Sequence, residues 1–160
     1  MTAYPLTLTD GAVIRPAEPH DLERVAELCQ EHASYEGANC ERAGLAARLQ
    51  SHWFTTGERP RRHCLVAVFH GRIEGFASFC TEFSTWDGAE YMHMDCLFLT
   101  PLARGQGIGA ALLEQVRQSA RRLGCIGVQW QTPTSNREAI RFYERVGATS
   151  KPKLRFFLEP

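Results

Sequence analysis

The segment RGQGIGAALLEQVRQSARRLG, residues 104–124, constrains the fold most, because alternating glycines run directly into a stretch of helix-forming residues. The first four N–H groups of a helix have no acceptor within it, and the helix dipole makes that end partly positive. A bound anion supplies the missing acceptors, and Gly105, Gly107 and Gly109 let it approach the backbone without a Cβ in the way. Arg104 adds a positive charge. The segment predicts a phosphate or pyrophosphate site, although the glycines alone are also compatible with a loop that only turns the chain.

The context of the glycines excludes two nucleotide-binding folds. A P-loop needs Gly-Lys followed by Ser or Thr, whereas Gly107 is followed by Ile108 and Gly109. A dinucleotide-binding fold places its glycines after the first strand. Here they follow the fourth predicted strand, which is reached through an antiparallel hairpin.

The pattern of apolar residues predicts one mixed α/β domain over residues 1–160. The predicted order is strand, two helices, three strands, helix, strand, helix, strand. Strands are expected at 12–15, at two places within 63–80 joined by a turn at 70–72, and at 91–99, 125–131 and 154–160. Helices are expected at 18–37, 42–52 and 108–124, and a last one opened by a capping box of Ser135 with Glu138 and ended by Gly147. The last helix is expected to bury Ile140, Tyr143 and Val146.

Composition argues against several classes of protein. Eighteen basic residues balance eighteen acidic ones, which disfavours binding to nucleic acid or to a membrane surface. No apolar run reaches transmembrane length, and residues 1–11 lack the features of a signal peptide. Six cysteines without a C-x-x-C pair favour reduced thiols in the cytoplasm over a disulfide framework or a metal site. The basic run at 59–62 is interpreted as a solvated loop.

Two motifs resemble the GCN5-related N-acetyltransferase (GNAT) family. LFLTPLARGQGIGAALL is similar to the family's R/Q-x-x-G-x-G/A loop, and NREAIRFYERVGA is similar to its N-x-x-A-x-x-F-Y-x-x-x-G-F/A segment. The resemblance implies an acyl-CoA N-acyltransferase fold and acetyl-CoA as co-substrate. The loop would hold its pyrophosphate, and the strand before the loop would pair with its pantetheine arm, with one strand N–H polarising the thioester carbonyl. The coenzyme-binding residues implied are Leu97, Phe98, Leu99, Arg104, Gly105, Gln106, Gly107, Ile108, Gly109, Ala110, Asn136 and Arg137.

Within that family the sequence is most similar to the diamine acetyltransferase branch. HASYEG resembles the branch's substrate-side pair, here Tyr35 and Glu36, while the branch's adjacent Glu-Asp becomes Asp95 and Cys96. The resemblance implies a small-molecule primary amine as acceptor, with polyamines or diamines first. Amino acids and aminoglycosides come second, and protein amines third. It also implies a homodimer. A non-catalytic acyl-CoA sensor is the alternative from another class.

Acetyl transfer to an amine requires that the ammonium lose a proton and that the leaving thiolate be stabilised. Asp95 is the candidate base, because an acidic side chain within an apolar strand is costly unless it has a catalytic role or a hydrogen-bond partner. The alternative role for Asp95 is a structural hydrogen bond. By resemblance, Tyr143 would protonate the thiolate, with a core aromatic as the alternative. His93 is a second candidate base on the same strand face as Asp95. Cys96 is expected on the opposite face, in the core.

Overall fold

The computed structural model describes residues 4–54 and 62–160. Its strands are β1 Leu6–Thr7, β2 Val13–Pro16, β3 Arg62–Phe69, β4 Arg72–Ser84, β5 Ala89–Leu99 and β6 Val128–Gln129; its helices are α1 Leu22–Tyr35, α2 Leu45–Trp53, α3 Ile108–Arg122 and α4 Arg137–Arg145. Of the basic run at 59–62, the first three residues lie outside the described residues, and Arg62 is exposed at the start of β3. Each helix in the described ranges is too short or too polar to span a bilayer.

The six strands form one sheet in the order β1 to β6. All neighbours are antiparallel except β5 and β6, which are parallel. This confirms the mixed α/β class. One face of the sheet packs against α1 and α2, and its core includes Val25, Leu28, Val66 and Phe76. The other face packs against α3.

Helix α3 anchors the second face of the sheet and, with it, the glycine loop. Ile108, Leu112, Val116 and Ala120 recur every four residues and are buried, as the sequence predicts, while Leu123 at the end is only partly buried. They pack against a core that includes Met92 and Met94 of β5. Burial of each large aliphatic side chain contributes roughly 1.5–3 kcal/mol. Truncation of Leu112 to Ala would therefore cost about 2–5 kcal/mol and loosen the loop's anchor.

Strand β5 is irregular at the residue where chemistry is expected. Ser78 of β4 lies opposite Cys96, and Phe79 lies opposite Met94, so Asp95 is one extra residue in β5, a β-bulge. Pairing of β5 with β6 covers only two residue pairs, from Met92 to His93 of β5. Beyond them the strands diverge. In the described residues, the backbone edge of 94–99 that faces β6 is therefore left without a ladder partner.

Two predicted strands differ from the structure. The strand predicted at 125–131 is reduced to Val128–Gln129, and residues 148–160 contain no strand at all. The prediction of a final strand at 154–160 is therefore wrong for the isolated chain. An extended segment becomes a strand only when a neighbour accepts its backbone hydrogen bonds, and none of the described residues does so. In addition, a short strand β1 precedes the first predicted one and pairs with β2.

The start and the buried face of α4 also differ from prediction. The cap is Asn136, whose side-chain oxygen accepts a hydrogen bond from the Ala139 N–H at 3.1 Å. The predicted capping box of Ser135 with Glu138 is wrong, because Asn136 competes one residue later as an equally good cap. The predicted buried stripe is wrong at Val146, which is exposed; Phe142 and Tyr143 are the aromatic residues of α4 that pack on the core.

Candidate active site

The loop before α3 adopts backbone conformations that favour glycine. The φ angle is +74° at Gly105 and +77° at Gly107, and a Cβ added at either would meet no atom within 4 Å. Gly107 is the N-cap of α3, and no side chain of the described residues caps this helix. The first helical hydrogen bond runs from Ala111 N–H to the Gly107 carbonyl, at 3.1 Å. The N–H groups of residues 108–110 are therefore left for an outside acceptor, and the space in front of the loop is open.

A cleft of about 940 Å³ runs from this loop along β5 to the ends of α1 and α4. It brings together most of the residues singled out from the sequence: Tyr35, Glu36, His93, Asp95, Leu97, Phe98, Leu99, Arg104, Gly105, Gly107, Gly109, Ala110, Asn136 and Tyr143. Three expected coenzyme-binding side chains do not line it. Gln106 is exposed, Ile108 is fully buried in the core, and Arg137 is exposed at the start of α4. Ile108 can contribute its backbone N–H only.

Tyr143 is half-buried in this cleft, among aromatic side chains. Its ring packs at 5.0 Å from Trp130 and 5.2 Å from Phe142, measured between ring centroids. Burial, and then the nearby Glu36 and Cys96, raise the pKa of Tyr143 to about 12. The phenol is therefore protonated at physiological pH, as a group that donates a proton to a leaving thiolate must be.

The bulge places Asp95 and Cys96 side by side. Alternation along a regular strand predicts opposite faces, and that prediction is wrong: Cys96 Sγ donates to Asp95 Oδ2 at 3.7 Å. Burial, and then the Asp95 charge, raise the pKa of the Cys96 thiol far above its usual range. The thiol stays protonated, which agrees with the assignment of Cys96 to the core. Asp95 itself is exposed to the cleft.

A cluster of three side chains, called here the Tyr35–Arg104–Glu138 clamp, joins the two sides of the cleft. The Tyr35 hydroxyl donates to Glu138 Oε2 at 2.9 Å, which raises the pKa of Tyr35. The Arg104 guanidinium lies 4.6 Å from the centroid of the Tyr35 ring, and its Nη1 is 3.8 Å from Glu138 Oε2. Its Nε donates to the Leu99 carbonyl at 3.0 Å. Arg104 is thus already engaged, and the backbone N–H groups remain the principal anion donors of the loop.

His32 and Glu138 are two cleft residues that sequence reasoning did not assign to the site. His32 stacks on Phe98 at 5.2 Å, and its Nε2 lies 3.3 Å from Glu36 Oε1. The spacing of four residues on one helix was a usable signal for the His32–Glu36 pair. Glu138 was noticed only as a cap, and its contact with Tyr35 joins residues 103 positions apart, which no local pattern predicts.

The described residues contain no group of three or more His, Cys, Asp or Glu side chains that could hold a metal ion. The polar groups of the cleft instead include backbone N–H groups, the two phenols of Tyr35 and Tyr143, and carboxylates. Such a set can bind an oxyanion at one end and an ammonium at the other.

Several known proteins are similar to this chain. The chain is 28% identical over 144 residues to "Thialysine N-epsilon-acetyltransferase" of Bos taurus, and the match covers 85% of this chain and 83% of that protein. The "D-amino-acid N-acetyltransferase" of Saccharomyces cerevisiae is 35% identical over 87% of this chain and 86% of its own length. In fold, a GNAT family acetyltransferase of Staphylococcus aureus superposes with a TM-score of 0.69, at 19% identity, over 92% of this chain and 98% of that one.

The family itself is defined by a match along most of the chain. Residues 25–148 fit the sequence model described as "Acetyltransferase (GNAT) family". That range includes the glycine loop, the bulged strand and Tyr143. The chain is therefore an N-acetyltransferase that belongs to the GNAT family.

Proposed function

We propose that this protein transfers the acetyl group of acetyl-CoA to the primary amine of a small molecule, by direct attack in a ternary complex. The observation that carries the proposal is the continuity of two backbone surfaces, neither of which has a helix or strand partner among the described residues. The uncapped start of α3 leads directly into the free edge of β5. A diphosphate fits the first surface, and a linear amide-containing arm fits the second. The positive φ angles at Gly105 and Gly107, with open space at both Cβ positions, provide the cradle.

The proposed mechanism assigns one task to each group of residues. The N–H groups of residues 108–110 hold the diphosphate, and an N–H of 97–99 polarises the thioester carbonyl. Asp95, directly or through a water, takes the proton of the ammonium, and the freed amine attacks the carbonyl carbon. As the carbon–sulfur bond breaks, Tyr143 donates its proton to the sulfur. The Tyr143 oxygen then takes the second proton of the attacking nitrogen, and Asp95 releases the first proton to solvent. The products are the N-acetylamine and the thiol form of coenzyme A.

The charges of the cleft favour an acceptor with a single ammonium group near Asp95. Glu36 is occupied by His32 at 3.3 Å, and Glu138 accepts the Tyr35 hydroxyl within the clamp. Asp95 is left as the acceptor-side carboxylate, and among the described residues it accepts a hydrogen bond from the Cys96 thiol. A polyamine would require several carboxylates to balance its charge.

A second feature favours an acceptor that also carries a carboxylate. Lys153 and Arg155 line the outer part of the cleft and are exposed there. We therefore place amino-acid-type amines first and polyamines second, which reverses the order expected from the branch resemblance. The names of the relatives that act on thialysine and D-amino acids support this order.

The test is thiol release from acetyl-CoA with a panel of acceptors. The panel contains thialysine, lysine, D- and L-amino acids, spermidine and an aminoglycoside. We expect the highest kcat/KM with an amino-acid-type amine. The highest kcat/KM with spermidine would contradict the charge argument. Tight binding of acetyl-CoA with no turnover across the panel would favour a non-catalytic sensor.

Three broader proposals accompany the activity. We propose that residues 1–160 act as one domain, because all described strands belong to one sheet. We propose a cytoplasmic protein, because all six cysteines are free. We also propose a homodimer, because the large apolar side chains of residues 154–158 are exposed in the isolated chain.

A further inference from the structure

The Arg104 guanidinium is held where the glycine loop meets β5. Its Nε donates to the Leu99 carbonyl at 3.0 Å, and its Cζ lies 4.6 Å from the centroid of the Tyr35 ring. The next N–H, that of Thr100, donates to β4. Since a trans peptide places its N–H and C=O on opposite sides, the Leu99 carbonyl faces the other edge of β5, towards β6. Arg104 therefore lies at the junction of the two backbone surfaces proposed for the coenzyme.

The carboxylate of Glu138 has the weakest hold on Arg104 within the clamp. Glu138 Oε2 lies 3.8 Å from Arg104 Nη1, which is beyond hydrogen-bond length, and the Glu138 side chain is 64% exposed. The Tyr35 hydroxyl keeps the carboxylate there by donating to the same oxygen at 2.9 Å. An exposed ion pair of this kind contributes little free energy, because water and salt screen it. Glu138 can therefore give way to another anion at small cost.

The diphosphate of the coenzyme would approach the same guanidinium. Arg104, Gly105, Gly107 and Glu138 all line one cleft, and the proposed phosphate donors are the N–H groups of 108–110. Like charges repel within the Debye length, which is about 10 Å at 0.1 M ionic strength. The Glu138 carboxylate opposes a bound diphosphate in two ways, by acting as the partner of Arg104 and by repelling the phosphate oxygens.

We propose that Glu138 is an internal competitor of the coenzyme: its carboxylate is the anionic partner of Arg104 in the free protein, and the diphosphate replaces it on binding. Glu138 is then a positioning residue that sets the affinity for the coenzyme and favours release of the product coenzyme A. Displacement of Glu138 also frees the Tyr35 hydroxyl, so coenzyme binding opens the clamp between α1 and α4. The inference rests on the proposed function, because it requires the coenzyme to bind in this cleft, but it does not depend on which amine is acetylated.

A purely structural role for Glu138 predicts a different result. Glu138 lies in the first turn of α4, where an acidic side chain stabilises the helix dipole. If that were its whole role, Glu138→Gln would slightly lower the thermal stability and leave the affinity for coenzyme A unchanged. A competitor predicts tighter binding of coenzyme A after the same substitution.

The test is isothermal titration calorimetry of the full-length chain with coenzyme A at roughly 0.05 M ionic strength. We expect Glu138→Gln to lower the Kd about fivefold, with unchanged far-ultraviolet circular dichroism. Inorganic pyrophosphate, measured by its competition with coenzyme A, should also bind more tightly to the variant. Pantetheine, which carries no phosphate, should bind equally to both proteins. At about 1 M salt, where the Debye length is about 3 Å, the gain for coenzyme A should largely disappear.

The matched control is Glu144→Gln, which removes the same charge from the same helix. Glu144 is exposed and does not line the cleft. Its variant should bind coenzyme A as the unaltered protein does. Unchanged or weaker binding by Glu138→Gln would overturn the proposal, as would an equal gain in Glu144→Gln or a gain that extends to pantetheine. An unaltered chain that does not bind coenzyme A would refute the proposed function as well, so the two failures are distinguishable.

Discussion

Replacement of Tyr143 by phenylalanine isolates one oxygen atom of the proposed mechanism. The ring keeps its packing at 5.0 Å from Trp130 and 5.2 Å from Phe142, so the free energy of unfolding should change by no more than about 0.5 kcal/mol. What is lost is the only proton donor that the mechanism offers to the departing sulfur. A positioned general acid contributes about 10²–10⁴-fold to the rate of a step in which it transfers a proton.

The pKa of Tyr143 decides where in that range the effect should fall. The hydroxyl has a pKa of about 12, whereas an ordinary thiol has a pKa of about 8.5. Complete transfer of the proton from the phenol to the thiolate is therefore unfavourable, because the thiolate is the weaker base. The phenol therefore acts mainly as a hydrogen-bond donor while charge develops on sulfur, which favours the lower end. We expect kcat to fall about 100-fold, which corresponds to about 2.7 kcal/mol of transition-state stabilisation. The KM for acetyl-CoA should stay within about threefold, because this interaction forms mainly in the transition state.

The assay is steady-state thiol release at saturating acceptor, and the chain offers a matched control. Tyr91 is also a phenol whose pKa is raised to about 12, by its hydrogen bond to Glu82 and then by burial. Tyr91 does not line the cleft. Tyr91→Phe should keep full kcat. Full kcat in Tyr143→Phe, or an equal loss in both variants, would refute the assignment of Tyr143.

Three further predictions concern the loop, the base and the core. Gly107→Ala places a side chain at a φ of +77°, a conformation that costs roughly 1–2 kcal/mol. The KM for acetyl-CoA should rise about 5–30-fold with kcat retained, and an unchanged KM would count against the cradle. Asp95→Asn should lower kcat/KM for the amine about 100-fold near neutral pH and move the pH profile of kcat/KM towards alkaline values. The control Asp87→Asn, at the hairpin tip, should leave that profile unchanged. Superimposable profiles for Asp95→Asn and the parent enzyme would exclude Asp95 as the base. Burial, and then the Arg122 charge, hold the pKa of His63 below its ordinary 6.5, so its stabilising contribution is complete above pH 6.5 and is lost as the pH falls below that value. His63→Phe should therefore flatten the fall of the urea midpoint below pH 6.5, and equal slopes in both proteins would contradict the assignment.

The elements that were predictable from the sequence are those with long local periodicity. α3 is the best example, since four of its five predicted core positions are buried and a glycine lies at each end of the helix. The hairpin of β3 and β4 was equally visible, because two apolar runs flank a glycine turn. In each case residues that are close in sequence are also close in space, so the local pattern of apolar residues is sufficient to predict the element.

The features that were missed depend on partners distant in sequence. The bulge at Asp95 is defined by a register shift against Ser78 and Phe79, which a single strand's sequence does not encode. The link of Glu138 to Tyr35 joins α4 to α1. The prediction of the cleft residues from motifs was largely matched by their placement, but the roles of Asp95 and Tyr143 stay predictions until the variants are measured.

The extra residue at position 95 means that the length of one strand is itself a functional variable. Deleting it would restore continuous pairing with β4 and straighten β5, while the following side chains would keep their present partners on β4. The hydrophobic side chains on both faces of the sheet would keep their places, while β5 would lose the carboxylate that we propose as the base. Loss of the single codon for residue 95 should therefore abolish acetyl transfer without changing any side chain of the core.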